Sequence, residues 1–152
     1  VWNDDHCDLE LKCFLQRLLK LRQALPQLFN PLVPAVEPSR KQLQPPGDLW
    51  RQWHGVELSK PDWAAWSRTT ATSLHVGSRG ALLWMGFNAY NEPLNFELPV
   101  PASPWMQVID TSLPAGEDLP AQAVPYDGVD IPLASRSLVL LLAREMASEL
   151  KL

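Results

Sequence analysis

The sequence predicts a mainly β protein: an antiparallel β-sandwich of about six to eight strands with one amphipathic α-helix at its N-terminal end. Short apolar runs separated by turn residues recur about every 8–12 residues through the second half of the chain, as in sandwiches. The clearest helical repeat lies near the N-terminus. The 152 residues include 15 prolines and 7 glycines, and because helix interiors and central strands reject proline, long connections are expected.

The helix is predicted over Asp8–Ala24, and Pro26 ends it. Leu9 and Leu19 widen its apolar surface beyond one stripe, which predicts a helix that lies between two bodies. The carboxylates before it can cap its first turn and meet the positive end of its dipole; they are Asp4, Asp5 and Asp8. The apolar positions recur at steps of three and four residues: Leu11, Phe14, Leu15, Leu18, Leu21 and Leu25.

Residues 30–66 are predicted to form a connector rich in proline and tryptophan that includes the first strand. Asn30–Pro46 contains five prolines and shows no hydrophobic period, as expected of a long loop. Trp50, Trp53 and the His54-Gly55 step indicate a short strand followed by a turn.

Residues 67–143 are predicted to form the sandwich. In Ala81–Pro99 a continuous apolar run is followed by turn residues and then by an alternating segment, which predicts a β-hairpin at the centre of the fold. Residues 144–152 are predicted to be a tail, either a short helix or a loose end. The predicted strands are Ala71–Val76, Leu82–Phe87, Leu94–Leu98, Trp105–Asp110, Val129–Leu133 and Ser137–Leu142.

Composition excludes several classes of function. The net charge of -4 argues against nucleic acid as a partner, since nucleic-acid binding needs clustered Lys and Arg. No apolar run reaches the roughly 18 residues of a membrane span, so no membrane partner is expected. Cys7 and Cys13 would lie about 120° apart around a helix, so they are predicted to stay reduced, in a cytoplasmic or plastid compartment.

The sequence predicts no catalytic residue, no metal site and no cofactor. Asp4, Asp5, Asp8 and Glu10 could hold a metal or supply an acid–base pair, but helix capping explains them better. No zinc motif, GxSxG motif or phosphate-binding glycine loop is present. The three histidines are scattered along the chain: His6, His54 and His75.

Two groups of residues are candidates for binding. Sugar rings stack on aromatic faces, so a tryptophan cluster could be a glycan platform, or it could be buried against the core or a neighbouring domain. Turn residues that are exposed could hydrogen-bond a ligand, or could serve the backbone of the turn. The first group is Trp50, Trp53, Trp63 and Trp66, and the second is Asn88, Tyr90 and Asn91.

The chain resembles the C-terminal region of isoamylase-type glycogen debranching enzymes of the alpha-amylase superfamily. Near the N-terminus a W-x-D step precedes F-x-x-x-L-x-x-L-R, as at the last helix of that family's catalytic barrel. Phe14, Leu18, Leu21 and Arg22 supply this pattern. The motifs of the family's C-terminal β-domain follow in order: Trp53-His54-Gly55, Pro61-Asp62-Trp63, Asn88-Ala89-Tyr90, Phe96-Glu97-Leu98-Pro99, Trp105 with Asp110-Thr111, and Arg136-Ser137-Leu138.

The resemblance implies that residues 1–29 are the last helical segment of a (β/α)₈ barrel that precedes this chain in a longer enzyme. That barrel would hydrolyse α-1,6 branch points by a retaining mechanism, with carboxylates that match no residue here. The expected function is a non-catalytic accessory domain that stabilises or shields the barrel. Its partners would be the barrel and, through the whole enzyme, a branched α-glucan. The alternative is an autonomous glucan-binding module.

Overall fold

The computed structural model describes residues 9–24, 35–36, 49–78 and 80–149. Within these ranges the chain forms two helices and nine strands. They are α1 (Leu9–Ala24), β1 (Ala35–Val36), β2 (Leu49–His54), β3 (Thr69–Val76), β4 (Ala81–Asn88), β5 (Leu94–Glu97), β6 (Trp105–Asp110), β7 (Val124–Tyr126), β8 (Asp130–Leu133), β9 (Ser137–Ala143) and α2 (Arg144–Glu149).

Seven strands make one sheet in the order β1-β2-β3-β4-β9-β6-β7, and β5 pairs with β8 in a separate two-stranded sheet. All pairings are antiparallel except that of β1 with β2. The strands in the middle of the large sheet are the continuous apolar segments of β4 and β9, since a central strand is covered on both faces. The predicted mainly β sandwich with one N-terminal helix is confirmed.

Successive side chains of a strand point to opposite faces, so the large sheet carries two cores. One core lies under the helices, where Leu21 of α1 and Ala147 of α2 meet Leu74, Leu83 and Leu140 of the sheet. We call this the helix side. The other core lies under the two-stranded sheet, which contributes Phe96, Ile131 and Leu133 to a cluster that includes Trp84 and Leu141. We call this the strand side.

The predicted hairpin between residues 82–87 and 94–98 is wrong. The neighbours of β4 are β3 and β9, with Leu83 opposite both Leu74 and Leu142. After the turn, β5 leaves the large sheet and places Phe96 opposite Ile131 of β8. Turn residues specify that the chain reverses, but they do not specify which strand the next segment pairs with. The reversal therefore connects the two layers of the sandwich.

Most other segments lie close to their predicted positions. The strand Trp105–Asp110 has its predicted bounds, and the tail contains a short helix, which is one of the two predicted alternatives. The sequence reasoning did not predict β1 or β7.

Neither described helix is long and apolar enough to cross a bilayer. Several predictions concern residues outside the described ranges: Asp4, Asp5, His6, Cys7 and Asp8.

Candidate functional site

Helix α1 packs on the sheet with one stripe and exposes leucines on another. Phe14, Leu18 and Leu21 recur at i, i+4 and i+7 and contact the helix-side core. The guanidinium of Arg17 donates a hydrogen bond of 2.9 Å from Nη1 to the carbonyl of Leu119. The exposed leucines of α1 are Leu9, Leu11, Leu15 and Leu19, each about half or more accessible to solvent. Isolated exposed leucines are ordinary, but four on one helix form an apolar surface.

The structure divides the predicted tryptophan cluster between the two faces of β2. Trp50 and Trp53 are three residues apart on a strand, so they point to opposite faces. The Trp50 ring stacks on the imidazole of His75, with centroids 4.1 Å apart and planes 10° apart. Its indole N–H donates to the carbonyl of Gly77 at 3.1 Å. Trp50 is therefore half-buried and part of the packing of the sheet.

Trp53 and Trp63 form a second pair on the helix side. Their rings meet edge to face with centroids 5.7 Å apart. The side chain of Trp63 is 67% exposed and that of Trp66 is 81% exposed, which are high values for the largest apolar side chain. The turn that carries them is held by the Asp62 carboxylate, which accepts a hydrogen bond of 3.0 Å from the amide of Ala64.

Asn88 was expected on an exposed turn, and this expectation is wrong because its side chain is buried. Its amide nitrogen lies within 3.2 Å of the carbonyls of Glu92, Leu133 and Ala134, and its oxygen accepts from the amide of Tyr90. Asn88 thus closes the reversal between β4 and β5 and ties it to the end of β8. Tyr90 and Asn91 lie exposed on the same turn.

The sequence reasoning missed a buried polar network on the strand-side face of β2 and β3. His54 and His75 each place Nε2 at 2.7 Å from the hydroxyl of Ser73. The amide of Ser59 donates to Nδ1 of His54 at 2.9 Å. Ser73 and His75 alternate on one face of β3, and this spacing of two was the signal that could have linked them.

Both histidines are neutral at neutral pH. Burial, together with the repulsion that a protonated His75 would exert, lowers the pKa of His54 to about 4. Burial also lowers the pKa of His75 to about 4, against a hydrogen bond with the backbone of Gly80 that favours the charged form. Because both rings are enclosed and hydrogen-bonded, they serve the structure. In the part of the chain that the structure describes, no three His, Cys, Asp or Glu residues come together as a metal ion would require.

A cleft of about 360 Å³ lies on the strand side, where Leu98, Trp105 and Tyr126 are among its lining residues. Its floor includes Trp105, whose buried indole N–H has no partner among the described residues. Its rim includes Val129, which is 84% exposed. Val129 is therefore a suitable control position for substitutions on the helix side.

Comparison with known proteins gives two findings. A family described as "Isoamylase 1-3, C-terminal" matches residues 52–132, more than half of the chain. "Isoamylase 1, chloroplastic" from Oryza sativa subsp. japonica is 35% identical over 74 residues, which cover 48% of this chain and 9% of the rice protein. The match thus covers less than a tenth of the rice protein. The family match includes Trp53, His54, Trp63 and His75. The chain belongs to the family of isoamylase C-terminal domains.

Proposed function

We propose that this chain is the non-catalytic C-terminal accessory domain of an isoamylase-type glycogen debranching enzyme, and that it stabilises or shields the catalytic barrel. The exposed leucines of α1 are the observation that carries the proposal. Residues 1–29 would then belong to the last helical segment of the barrel, with residues 30–66 as connector and 67–143 as the accessory sandwich.

An interface of the size usual between domains would be strong enough for docking. Burial of roughly 600 Å² of apolar area at about 25 cal/mol per Å² would contribute on the order of 15 kcal/mol before the entropy cost of association. Leu15 and Leu19 lie one helical turn apart and can enter one interface together. Such a helix would be packed between the sandwich, through Leu18 and Leu21, and the barrel.

The chemistry of the reaction separates the role of the barrel from that of the accessory domain. A retaining glycosidase needs two carboxyl groups about 5–5.5 Å apart that flank the scissile bond. In this proposal the barrel supplies them, and the accessory domain supplies no group to the reacting atoms. Hydrolysis of α-1,6 branch points, and the branched α-glucan itself, then belong to the whole enzyme.

The test uses the full-length enzyme and the 152-residue chain side by side. Leu15→Lys and Leu19→Lys together should lower the melting temperature and the debranching activity of the full enzyme, because they place charges in the interface. The same pair should leave the unfolding of the 152-residue chain nearly unchanged. Val129→Lys is the matched control, since it adds the same charge to a residue exposed on the strand side. A full enzyme insensitive to the leucine pair would contradict the proposal.

A second candidate is glucan binding by the two tryptophans that follow β2, favoured by the exposure of Trp63 and Trp66. Sugar rings present C–H faces that pack on indole rings. Affinity electrophoresis of the chain in glycogen tests it. Retardation that Trp63→Ala or Trp66→Ala removes, while Val129→Ala does not, supports a glucan module. Migration unaffected by glycogen supports the docking role alone.

A further inference from the structure

The loop that carries the exposed tryptophans is hydrogen-bonded to a buried histidine. We call residues 55–67 the tryptophan loop. The amide of Ser59 donates to Nδ1 of His54 at 2.9 Å, and its hydroxyl lies 2.7 Å from Nε2 of Gln52. The amide of Leu58 donates to the carboxylate of Glu97 on β5 at 2.9 Å. Since Ser59 has φ of 60°, an unusual value for a residue other than glycine, these bonds hold the backbone in a conformation it does not prefer.

One arrangement of protons satisfies the hydrogen bonds that link Ser59, the two histidines and Ser73. A backbone amide can only donate, so Nδ1 of His54 accepts and its ring proton lies on Nε2. That proton is donated to the hydroxyl of Ser73, which donates in turn to Nε2 of His75. The proton of His75 must then lie on Nδ1, where the backbone of Gly80 receives it. The two histidines therefore carry their protons on different nitrogens.

We propose that this relay, from Ser59 through His54, Ser73 and His75 to Gly80, is an acid-sensitive latch that holds the tryptophan loop on the sheet. Protonation of Nδ1 of His54 replaces the acceptor for the Ser59 amide by a donor, so the two N–H groups face each other, this hydrogen bond is lost and the loop is released at Ser59. The latch depends on the proposed function in one respect only, namely which surface the tryptophans contact before the loop is released.

Of the two histidines in the relay, His54 is the one whose cation is less stabilised by its surroundings. The elements packed against it contribute few charges. Glu57 and Lys60 of the loop are exposed and form an ion pair with each other, Glu97 of β5 accepts from the loop backbone, and β4 contributes no charged side chain. No carboxylate contacts either imidazole in the described network to stabilise its cation. The stacked Trp50 ring offers a cation–π contact to His75, whereas His54 has no aromatic partner among the described ring pairs.

The latch predicts a measurable change between pH 7 and pH 5. The pKa of His54 is about 4 in the closed loop and 6.5 when the ring meets water, so the ratio of closed to released loop should fall about twentyfold. Nitrogen-15 NMR of the chain should find the Nε2–H form of His54 and the Nδ1–H form of His75 at pH 7. The indole N–H signal of Trp63, assigned through Trp63→Phe, should then shift as the pH falls.

Two variants separate the latch from general acid unfolding. His54→Gln keeps an acceptor and a donor but does not titrate, so the Trp63 signal should stay constant between pH 7 and pH 5. Ser73→Ala breaks the relay at every pH, so the signal should be displaced already at pH 7. If His54→Gln fails to fold, hydrogen exchange of the Ser59 and Leu58 amides in the unmodified chain supplies the test. Their exchange should accelerate at low pH, after correction for intrinsic rates, before that of the β4 and β9 amides.

The opposite tautomers at pH 7, or a Trp63 signal that follows the same pH curve in the His54→Gln variant, would overturn the latch. These readouts report on the loop of the chain alone. A failure of the latch therefore leaves the docking proposal standing, and a full enzyme insensitive to Leu15→Lys and Leu19→Lys leaves the latch standing.

Discussion

The two faces of the large sheet are covered in different ways. On the strand side β5 and β8 close over Trp84, which is fully buried and meets Phe96 edge to face with ring centroids 6.0 Å apart. On the helix side α1 covers part of the core and leaves Leu15, Leu19 and Trp63 exposed. The difference predicts that a side chain on the strand side contributes more to stability, on average, than one on the exposed part of the helix side.

The sharpest test of this comparison substitutes one phenylalanine on each face. Phe96→Ala on the strand side removes a fully buried ring and should lower the free energy of unfolding by about 3–5 kcal/mol. Phe87→Ala on the helix side, where the ring is partly exposed, should cost about 1 kcal/mol. Urea denaturation of the two variants measures both values. Equal costs would show that the two faces do not differ in the way described.

The strand side should also limit stability in acid, because both buried histidines lie there. Their pKa values are about 4 in the folded state and 6.5 in the unfolded state, so the unfolded chain binds more protons between these values. Stability should therefore be complete above about pH 6.5 and fall as the pH drops toward 4, by about 2 kcal/mol per histidine at pH 5 if the two titrate independently.

Denaturation midpoints between pH 7 and pH 5 measure this loss. The variant in which both His54 and His75 are replaced by Gln is the control, and its stability should change much less over the same range. A wild-type chain with constant stability down to pH 5 would contradict the assignment.

A substitution that adds one methyl group to a glycine on the strand side is a finer test of the comparison. A Cβ at Gly86 would overlap Cη2 of the buried Trp84 ring, which has no room to move. Gly86→Ala should therefore destabilise the chain by about 1–3 kcal/mol through overpacking. Near-UV circular dichroism should change as well, because the environment of Trp84 changes. Gly116→Ala is a contrasting variant, since an added Cβ there meets nothing and any cost comes from its positive φ.

The smallest expected effect lies on the exposed side of α1. Leu19→Ala in the 152-residue chain should change the free energy of unfolding by about 0.5 kcal/mol or less, because its side chain is largely in water. Leu21→Ala, two positions away and buried, should cost about 2–5 kcal/mol. Thermal unfolding followed at 222 nm compares the two. A large loss for Leu19→Ala would mean that this leucine already has its packing partner within the chain.

The candidate site was partly predictable from local spacing. The helical period identified α1 and its excess of leucines, and the concentration of tryptophans marked the region of β2 and the loop after it. The division of Trp50 from Trp53 also follows from the period of two in a strand, once β2 is recognised as a strand. The burial of Asn88 did not follow, because three of its hydrogen-bond partners are carbonyls, two of them more than forty residues away in the sequence.

Local sequence specified most of the helices and strands but not β1 or β7, since helix periodicity, strand alternation and turn chemistry act over a few neighbouring residues. It thereby determined that the domain is a β-sandwich with an amphipathic helix. Only the folded chain shows that β4 pairs with β3 and β9, that Asn88 is buried, and that His54 and His75 share the Ser73 hydroxyl. The physical reason is that pairing and burial depend on which distant groups complete a buried hydrogen bond or fill a core, and local spacing does not specify those partners.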